Sequence, residues 1–130
     1  MRPRILVVED NPLNSELFSD WLETEGYEVC LAPDLPSAFA AVEAQAPDLV
    51  LLDVQLGDDD GLKLAASMRE QPLLRHIPII AVTAHAMMTE KKRILQAGCN
   101  AYLPKPVDLP VLLTHLKRWL AHPLRPVADI

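Results

Sequence analysis

The chain has 130 residues, half of them hydrophobic and 23% charged, which is enough apolar mass for one packed domain and too much for a disordered chain. Its 12 Lys and Arg against 18 Asp and Glu give a net charge of −6, and no apolar run approaches the ~20 residues of a membrane-spanning helix, so we expect neither nucleic acid nor membrane as a partner. Residues 1–4 lead into only four apolar residues before Glu9 and Asp10, which is too short and too acidic for a signal peptide. Two isolated cysteines favour reduced thiols in a cytoplasmic protein.

The first half of the chain alternates short apolar runs with helical spacing. Residues 5–8 are apolar and rich in β-branched side chains, which predicts a strand buried on both faces. Asn11 and Pro12 are a cap residue and a first-turn proline, and apolar residues then recur at helical spacing. Residues 27–31 alternate and predict a second, more exposed strand, after which a short alanine-rich helix ends before Pro47.

The second half repeats this alternation three times. Residues 49–52 form a continuous apolar run that predicts a third buried strand ending at Asp53. An acidic stretch with two glycines, residues 57–61, follows and is typical of a loop. The remaining predicted elements are a helix over 62–68, a strand over 78–82 ending at Thr83, a helix over 88–97, a strand over 100–103 and a helix over 108–119.

Five strand–helix repeats predict an α/β fold. Mostly apolar strands that alternate with helices are buried on two sides, so the pattern favours one parallel sheet with helices on both faces. We expect residues 1–121 to form a single domain. Residues 122–130 contain two prolines and no periodicity, which predicts a loose tail.

Polar side chains stand at the carboxyl ends of the predicted strands. Glu9 and Asp10 follow the first strand, Asp53 the third, Thr83 the fourth, and Lys105 comes soon after the fifth. Ligands of open parallel sheets bind at this edge, so we expect the five side chains to share one crevice. Two like unit charges ~4 Å apart repel by about 4 kcal/mol at an effective dielectric of about 20. A hard divalent cation such as Mg²⁺, which takes carboxylate oxygens and keeps several waters, relieves that repulsion.

This set of groups suits phosphoryl transfer. That reaction needs an oxygen nucleophile, a metal that neutralises developing charge, and fixed donors for the other phosphoryl oxygens. Asp53 is the candidate nucleophile, as in other enzymes that form an aspartyl phosphate. The Lys105 ammonium and the Thr83 hydroxyl are the candidate donors.

Four stretches of sequence carry a family resemblance. They are ILVVEDN at residues 5–11, DLVLLD at 48–53, IIAVTA at 79–84 and YLPKP at 102–106. These stretches resemble the receiver domains of bacterial two-component response regulators, the CheY-like proteins, over essentially residues 4–120. The nearest subgroups are DivK-like receivers and those attached to hybrid histidine kinases. The resemblance implies a flavodoxin-like (βα)5 three-layer sandwich whose five parallel strands have the order 2-1-3-4-5.

The resemblance also assigns a phosphoacceptor and a metal site. Asp53 would accept a phosphoryl group from a histidine of a histidine kinase or histidine phosphotransfer protein. Asp10 and Asp53 would bind Mg²⁺ or Mn²⁺ through their side chains, Gln55 would bind it through its backbone carbonyl, and Glu9 would act through a metal-bound water. Such a domain catalyses only its own phosphorylation and dephosphorylation, so it is not an enzyme with a free substrate.

Further residues take part in signalling by the same resemblance. Thr83 and Lys105 would hold the phosphoryl oxygens, Tyr102 would be the aromatic rotamer switch, and the bond before Pro106 would be cis. The surface of the fourth helix, fifth strand and fifth helix would change on phosphorylation and so control the binding of a downstream protein target. We hypothesise that Gln55 and His85, each two residues after a site residue, tune the lifetime of the phosphoryl group.

The loop after Asp53 departs from the family pattern. Gly57 stands where a proline is usual, which frees the backbone locally, while the glycine expected at the start of the next helix is present as Gly61. Three consecutive aspartates, residues 58–60, are unusual beside a phosphorylation site. They could raise cation affinity or slow an anionic donor.

Other classes of protein fit the sequence less well. A phosphatase of the haloacid dehalogenase type also uses a strand-end aspartate with Mg²⁺, but it needs a second aspartate where this chain has Gln55 and usually a longer chain. A dinucleotide or flavin binder needs a glycine-rich first loop, and the loop after the first strand has no glycine. A degenerate receiver would lack part of the site. The sequence leaves open a stand-alone regulator and a piece of a longer regulator or hybrid kinase.

Overall fold

Seven strands and five helices follow one another along residues 2–85 and 87–121, the part of the chain that the computed structural model describes. The strands are β1 (Arg4–Val8), β2 (Glu28–Ala32), β3 (Leu49–Asp53), β4 (Gln55–Leu56), β5 (Asp59–Asp60), β6 (Ile79–Thr83) and β7 (Ala101–Pro104). The helices are α1 (Pro12–Thr24), α2 (Leu35–Ala44), α3 (Leu62–Glu70), α4 (Met88–Gln96) and α5 (Leu109–Ala121). The expected loose tail over 122–130 lies outside the described residues.

Five of the strands form one parallel sheet. Its order is β2-β1-β3-β6-β7, and each neighbouring pair is parallel. Because β4 and β5 lie outside this sheet, β6 and β7 are its fourth and fifth strands in chain order. The predicted order 2-1-3-4-5 and the flavodoxin-like fold class are therefore confirmed.

Helices cover both faces of the sheet, because side chains of the central strands alternate between two apolar clusters. One cluster packs α1 and α5 against alternate strand residues, among them Ile5, Val7, Leu49, Leu51, Ile80 and Val82. The other packs α2, α3 and α4 against the intervening ones, among them Leu6, Val8, Val50, Leu52, Ile79 and Ala81. All twelve are at most 2% exposed, which explains why these strands read as continuous apolar runs. No described helix is both long and apolar enough to cross a membrane.

Capping residues set where the helices begin. The Asn11 side-chain oxygen accepts hydrogen bonds from two backbone amides of the first turn of α1, as its position before Pro12 predicts. Asp108 accepts a hydrogen bond from the Val111 amide at the start of α5. For α2 the cap is Asp34, which forms a capping box with Ser37, so that helix begins between Pro33 and Pro36.

Two local expectations differ from the structure. The second strand begins at Glu28 and not at Tyr27, because the Tyr27 amide bonds the Leu22 carbonyl at the end of α1 and the pairing with β1 starts at Glu28. The acidic stretch predicted as a loop, residues 57–61, forms the turn and the second strand of an antiparallel hairpin whose first strand is β4. Gly57 occupies the first of its two turn positions with φ +59°, a conformation that glycine adopts readily and that tight hairpins require.

Arg69, near the end of α3, holds two connecting segments together. Its guanidinium donates hydrogen bonds to the carbonyl oxygens of Gly98, Arg75 and Ile77 and to the side-chain oxygen of Asn100, over 2.8–3.1 Å. These groups belong to the segments that lead into β6 and β7, two strands whose ends carry site residues. A planar fork of donors suits this multiple bonding better than a single ammonium does.

We predict that Arg69→Met lowers the free energy of unfolding by about 3 kcal/mol, because four partly buried acceptors lose a charged donor. Lys63→Met is the matched control, since Lys63 is exposed on the same helix and its loss changes the net charge equally. Urea unfolding of both variants and the wild type measures the difference. Equal losses in the two variants would contradict this role for Arg69.

Candidate functional site

Three carboxylates meet at the carboxyl edge of the sheet. Glu9 and Asp10 directly follow β1, and Asp53 is the last residue of the adjacent strand β3. One oxygen from each side chain lies within 4.8 Å of the other two. Glu9 and Asp53 are each only 3% exposed, whereas Asp10 is exposed. The sheet therefore crowds like charges together and hides two of them from the water that would screen them.

Lys105 is the cation that faces this cluster. It follows β7, and its Nζ lies 2.7 Å from Asp53 Oδ2 and 3.8 Å from Glu9 Oε1. Partial burial alone would lower the pKa of Lys105. The hydrogen bond to Asp53 and the nearby negative charges outweigh burial, so the pKa of Lys105 is raised. The side chain is thus held in its charged form, aimed at Asp53.

Backbone amides fix the carboxylate oxygens. The Asn11 amide donates to Glu9 Oε2 over 3.1 Å, the Gln55 amide to Asp53 Oδ1 over 3.0 Å, and the Gly57 amide to Asp10 Oδ2 over 3.0 Å. Every donor belongs to a connection that leaves β1 or β3. The turn geometry of these connections therefore decides where the carboxylates point.

Glu9 ionises less readily than an ordinary glutamate. Burial raises its pKa, the Asn11 amide opposes that rise, and the neighbouring Asp53 charge adds to it; the pKa of Glu9 is raised from 4.5 to about 7. Lys105 favours the ionised form but stands 3.8 Å away and bonds Asp53 more closely. A buried carboxyl with a carboxylate neighbour is expected to hold its proton in this way.

The other predicted residues divide between the cleft and its surroundings. The cleft has a volume of about 980 Å³, and Thr83, Gln55 and His85 line it together with the carboxylates and Lys105. Thr83 is buried at the end of β6, and its Oγ1 accepts a hydrogen bond from the His85 amide over 3.0 Å. Gln55 and His85 are exposed, so both side chains can reach water inside the cleft.

Tyr102 and Pro106 are not among the described residues that line this cleft. Tyr102 is half-buried on β7, and the Lys91 ammonium lies 5.4 Å from the centre of its ring, within the range of a cation–π contact. The peptide bond between Lys105 and Pro106 is cis.

Three further cleft residues were not among the predicted site residues. Asp60 in the hairpin and Glu90 and Arg93 in α4 also line the cleft, and Arg93 bonds both acidic side chains. Gly61 also shapes the site, because a methyl group at this position would overlap the carbonyl oxygen of Asp53. In the sequence, the only sign of this steric constraint was that a glycine is expected at the start of α3.

Comparison with known proteins identifies the family. The family model for the response regulator receiver domain matches residues 5–117. The chain belongs to this family. The receiver domain is 40% identical to the polar-differentiation response regulator DivK of Brucella anthropi over 120 residues, which cover 92% of this chain and 98% of that protein. The predicted family and its DivK-like subgroup are confirmed.

Solved structures of other receivers superpose closely on this receiver domain. The receiver domain of the sensor histidine kinase PA1611 from Pseudomonas aeruginosa has a TM-score of 0.85 at 38% identity, covering 93% of this chain and 99% of that one, and holds a magnesium ion in its active-site cleft. A CheY-like receiver protein from Methanospirillum hungatei has a TM-score of 0.87 at 32% identity, covering 94% and 96%. This domain is therefore a receiver of two-component systems, a family of phosphoacceptor domains.

We predict that Glu9→Gln stabilises the metal-free protein, and increasingly so as the pH rises. The folded-state pKa of about 7 exceeds the ordinary value of 4.5, so folding favours the protonated form and ionisation above pH 7 carries the full penalty. At about 1.4 kcal/mol per pKa unit, the gain at pH 8 is about 3 kcal/mol. It shrinks as the pH falls from 7 to 4.5.

Urea unfolding of both proteins at pH 5, 6, 7 and 8 in the presence of a chelator measures this gain. Glutamine keeps an oxygen that can accept from the Asn11 amide, so the comparison isolates the charge. A difference between the two proteins that does not change with pH would show that Glu9 ionises normally.

Proposed function

We propose that residues 1–121 form a receiver domain that takes a phosphoryl group from a phosphohistidine onto Asp53, in a reaction that needs Mg²⁺ or Mn²⁺. The donor is a histidine kinase or a histidine phosphotransfer protein. The observation that carries this proposal is the 2.7 Å contact between Asp53 Oδ2 and Lys105 Nζ inside a cluster of three carboxylates. With a net charge of −6, we propose a cytoplasmic protein that signals through protein contacts, without nucleic acid or membrane.

The donor set fits a hard divalent cation. All its candidate ligands are oxygens, and three carboxylates outnumber the single ammonium beside them, which leaves negative charge to be balanced. Asp10 and Asp53 would hold the cation through their side chains, Gln55 through its carbonyl, and Glu9 through a water. The bound cation would neutralise charge that develops on the phosphoryl oxygens.

The proposed reaction is a direct displacement at phosphorus. An Asp53 carboxylate oxygen forms the new bond to phosphorus as the bond from phosphorus to the donor's imidazole nitrogen breaks, and that nitrogen keeps the electron pair. The Lys105 ammonium and the Thr83 hydroxyl then donate hydrogen bonds to phosphoryl oxygens. For this the Thr83 hydroxyl leaves its present partners, the backbone atoms of His85.

That movement of Thr83 can transmit the phosphorylation state of Asp53 to the protein surface. Thr83 is the last residue of β6, and β6 pairs with β7, which carries Tyr102. We propose that Tyr102 changes rotamer when Thr83 turns towards the phosphoryl group, and that the face formed by α4, β7 and α5 then binds or releases a downstream protein. A two-state rearrangement of this kind shifts a population and does not deform the core continuously.

Gln55 separates this proposal from a phosphatase of the haloacid dehalogenase type. That reaction needs a carboxylic acid two residues after the nucleophile, and the side-chain amide of Gln55 is not acidic enough to act as a general acid. We therefore propose self-phosphorylation without turnover of a free substrate. Gln55 and His85 are exposed in the cleft, where we propose that they influence the water that hydrolyses the aspartyl phosphate.

Incubation with phosphoramidate and Mg²⁺ tests the phosphoacceptor. We expect intact-mass spectrometry to show one added phosphoryl group on the wild type and none on Asp53→Asn, because an amide oxygen is a poor nucleophile. Asp20→Asn is the matched control, since Asp20 is exposed on α1 and loses the same charge. A wild type that stays unmodified, or an Asp53→Asn protein that gains the group, would refute the proposal.

Mg²⁺ should raise the thermal midpoint of the wild type. A ligand that binds only the folded state adds about 2.7 kcal/mol to the free energy of unfolding at 100 times its dissociation constant. Asp10→Asn removes one charged ligand but keeps an oxygen for the Gly57 amide, and we expect affinity to fall roughly tenfold, or about 1.4 kcal/mol. Asp20→Asn is again the control. A thermal midpoint that does not change with Mg²⁺, or a Mg²⁺-induced rise that is equal in Asp10→Asn and Asp20→Asn, would contradict the proposed cation site.

A further inference from the structure

The β4–β5 hairpin is held to α4 by an ion pair that the proposed chemistry does not use. Arg93 Nη1 lies 2.6 Å from Asp60 Oδ2, joining residues 33 positions apart in sequence. Both side chains line the cleft that contains Asp53. Asp60 also accepts a hydrogen bond from the Leu62 amide through its other oxygen, so this carboxylate is fixed at the point where the hairpin passes into α3.

A second carboxylate holds the guanidinium in place. Glu90, three residues earlier on α4, bonds Arg93 Nη2 over 3.1 Å and Nε over 3.3 Å. Because Glu90 already orders the guanidinium, Arg93 loses little further conformational entropy when it bonds Asp60. Both members of the ion pair are partly exposed, Arg93 by 48% and Asp60 by 39%, so the expected contribution is that of a surface pair supported by a network.

The other side of the hairpin contacts the carboxylates of the site. Its Gln55 amide donates to Asp53 and its Gly57 amide donates to Asp10. Gln55 pairs directly with Asp60 across the two strands. A displacement of Asp60 therefore reaches Gln55 across the strand pair, and Gly57 through the two-residue strand that connects them, and these are the residues whose amides orient Asp53 and Asp10.

We propose that Arg93 is a positioning residue that couples α4 to the phosphorylation site through Asp60. With the ion pair intact, the hairpin stays against α4 and its two amides keep Asp53 and Asp10 oriented. Movement of α4 away from the hairpin loosens those amides. A partner that binds α4 and holds Arg93 on Asp60 therefore favours phosphorylation, and by reciprocity phosphorylation favours that position of α4. The link to phosphorylation rests on the proposed function.

Amide hydrogen exchange tests the positioning step without any phosphodonor. We expect Arg93→Gln to speed exchange at the Gln55 and Gly57 amides about two- to fivefold, the range that an exposed ion pair provides. Lys92→Gln is the matched control, because Lys92 is exposed on the same helix, is absent from the described cleft lining and loses the same charge. Equal exchange in the Arg93 and Lys92 variants would overturn the proposal.

A double-mutant cycle tests whether Arg93 acts through Asp60. Asp60→Asn breaks the ion pair but keeps an oxygen for the Leu62 amide. At saturating Mg²⁺ and phosphoramidate, we expect Arg93→Gln to slow phosphorylation about two- to fivefold in the wild-type background and to have no further effect in the Asp60→Asn background. Additive effects would mean that Arg93 acts as a distant charge, which would overturn the coupling.

The outcomes of these experiments distinguish a failure of the proposed function from a failure of the inference about Arg93. If the wild type gains no phosphoryl group while exchange responds as expected, the proposed function is wrong and the positioning of the hairpin still holds. If the wild type is phosphorylated and neither exchange nor rate distinguishes Arg93→Gln from Lys92→Gln, the inference about Arg93 is wrong and the phosphoacceptor stands. Should Arg93→Gln fail to fold, Asp60→Asn alone must show the same increase in exchange.

Discussion

The repulsion among Glu9, Asp10 and Asp53 is the constraint on which the rest of this structure depends. Parallel pairing of β1 with β3 brings the carboxylates together, and one oxygen from each lies within 4.8 Å of the others. Such an arrangement destabilises a folded chain unless something opposes it. The Lys105 ammonium offsets part of it, and the apolar clusters on both faces of the sheet keep the strands paired despite the remainder.

The turns around the site serve this constraint. Amides of Asn11, Gln55 and Gly57 donate to the three carboxylates, one each, and charge-assisted bonds of this kind are stronger than neutral ones. The glycine pattern follows from the same requirement. Gly57 gives the hairpin its turn, and Gly61 leaves room for the Asp53 carbonyl. Site geometry and chain reversal are therefore set by the same few residues.

The sequence predicted those parts of the molecule that depend on hydrophobic periodicity and on the topology of the parallel sheet. Continuous apolar runs located β1, β3 and β6, and alternation located β2. The rule that parallel strands place their carboxyl ends at one edge brought Glu9, Asp53 and Lys105 together. The sequence could not predict side-chain pairings between distant segments. Asp60 looks like its two acidic neighbours, and Arg93 lies in a basic run typical of a solvated helix face. Only the register of the hairpin, which places Asp60 opposite Gln55, selects this aspartate for Arg93.

Proton, ammonium and divalent cation compete for the same oxygens. Burial and the charge of Asp53 raise the pKa of Glu9 to about 7, so near neutral pH the free site lowers its own repulsion by holding a proton as well as the Lys105 ammonium. A divalent cation of the proposed function would displace that proton and draw Asp53 away from Lys105. The ammonium would then be free to face an incoming phosphoryl group. The crowding of the three carboxylates lowers the stability of the free protein. The same crowding keeps the site ready to bind a cation and a phosphoryl group together.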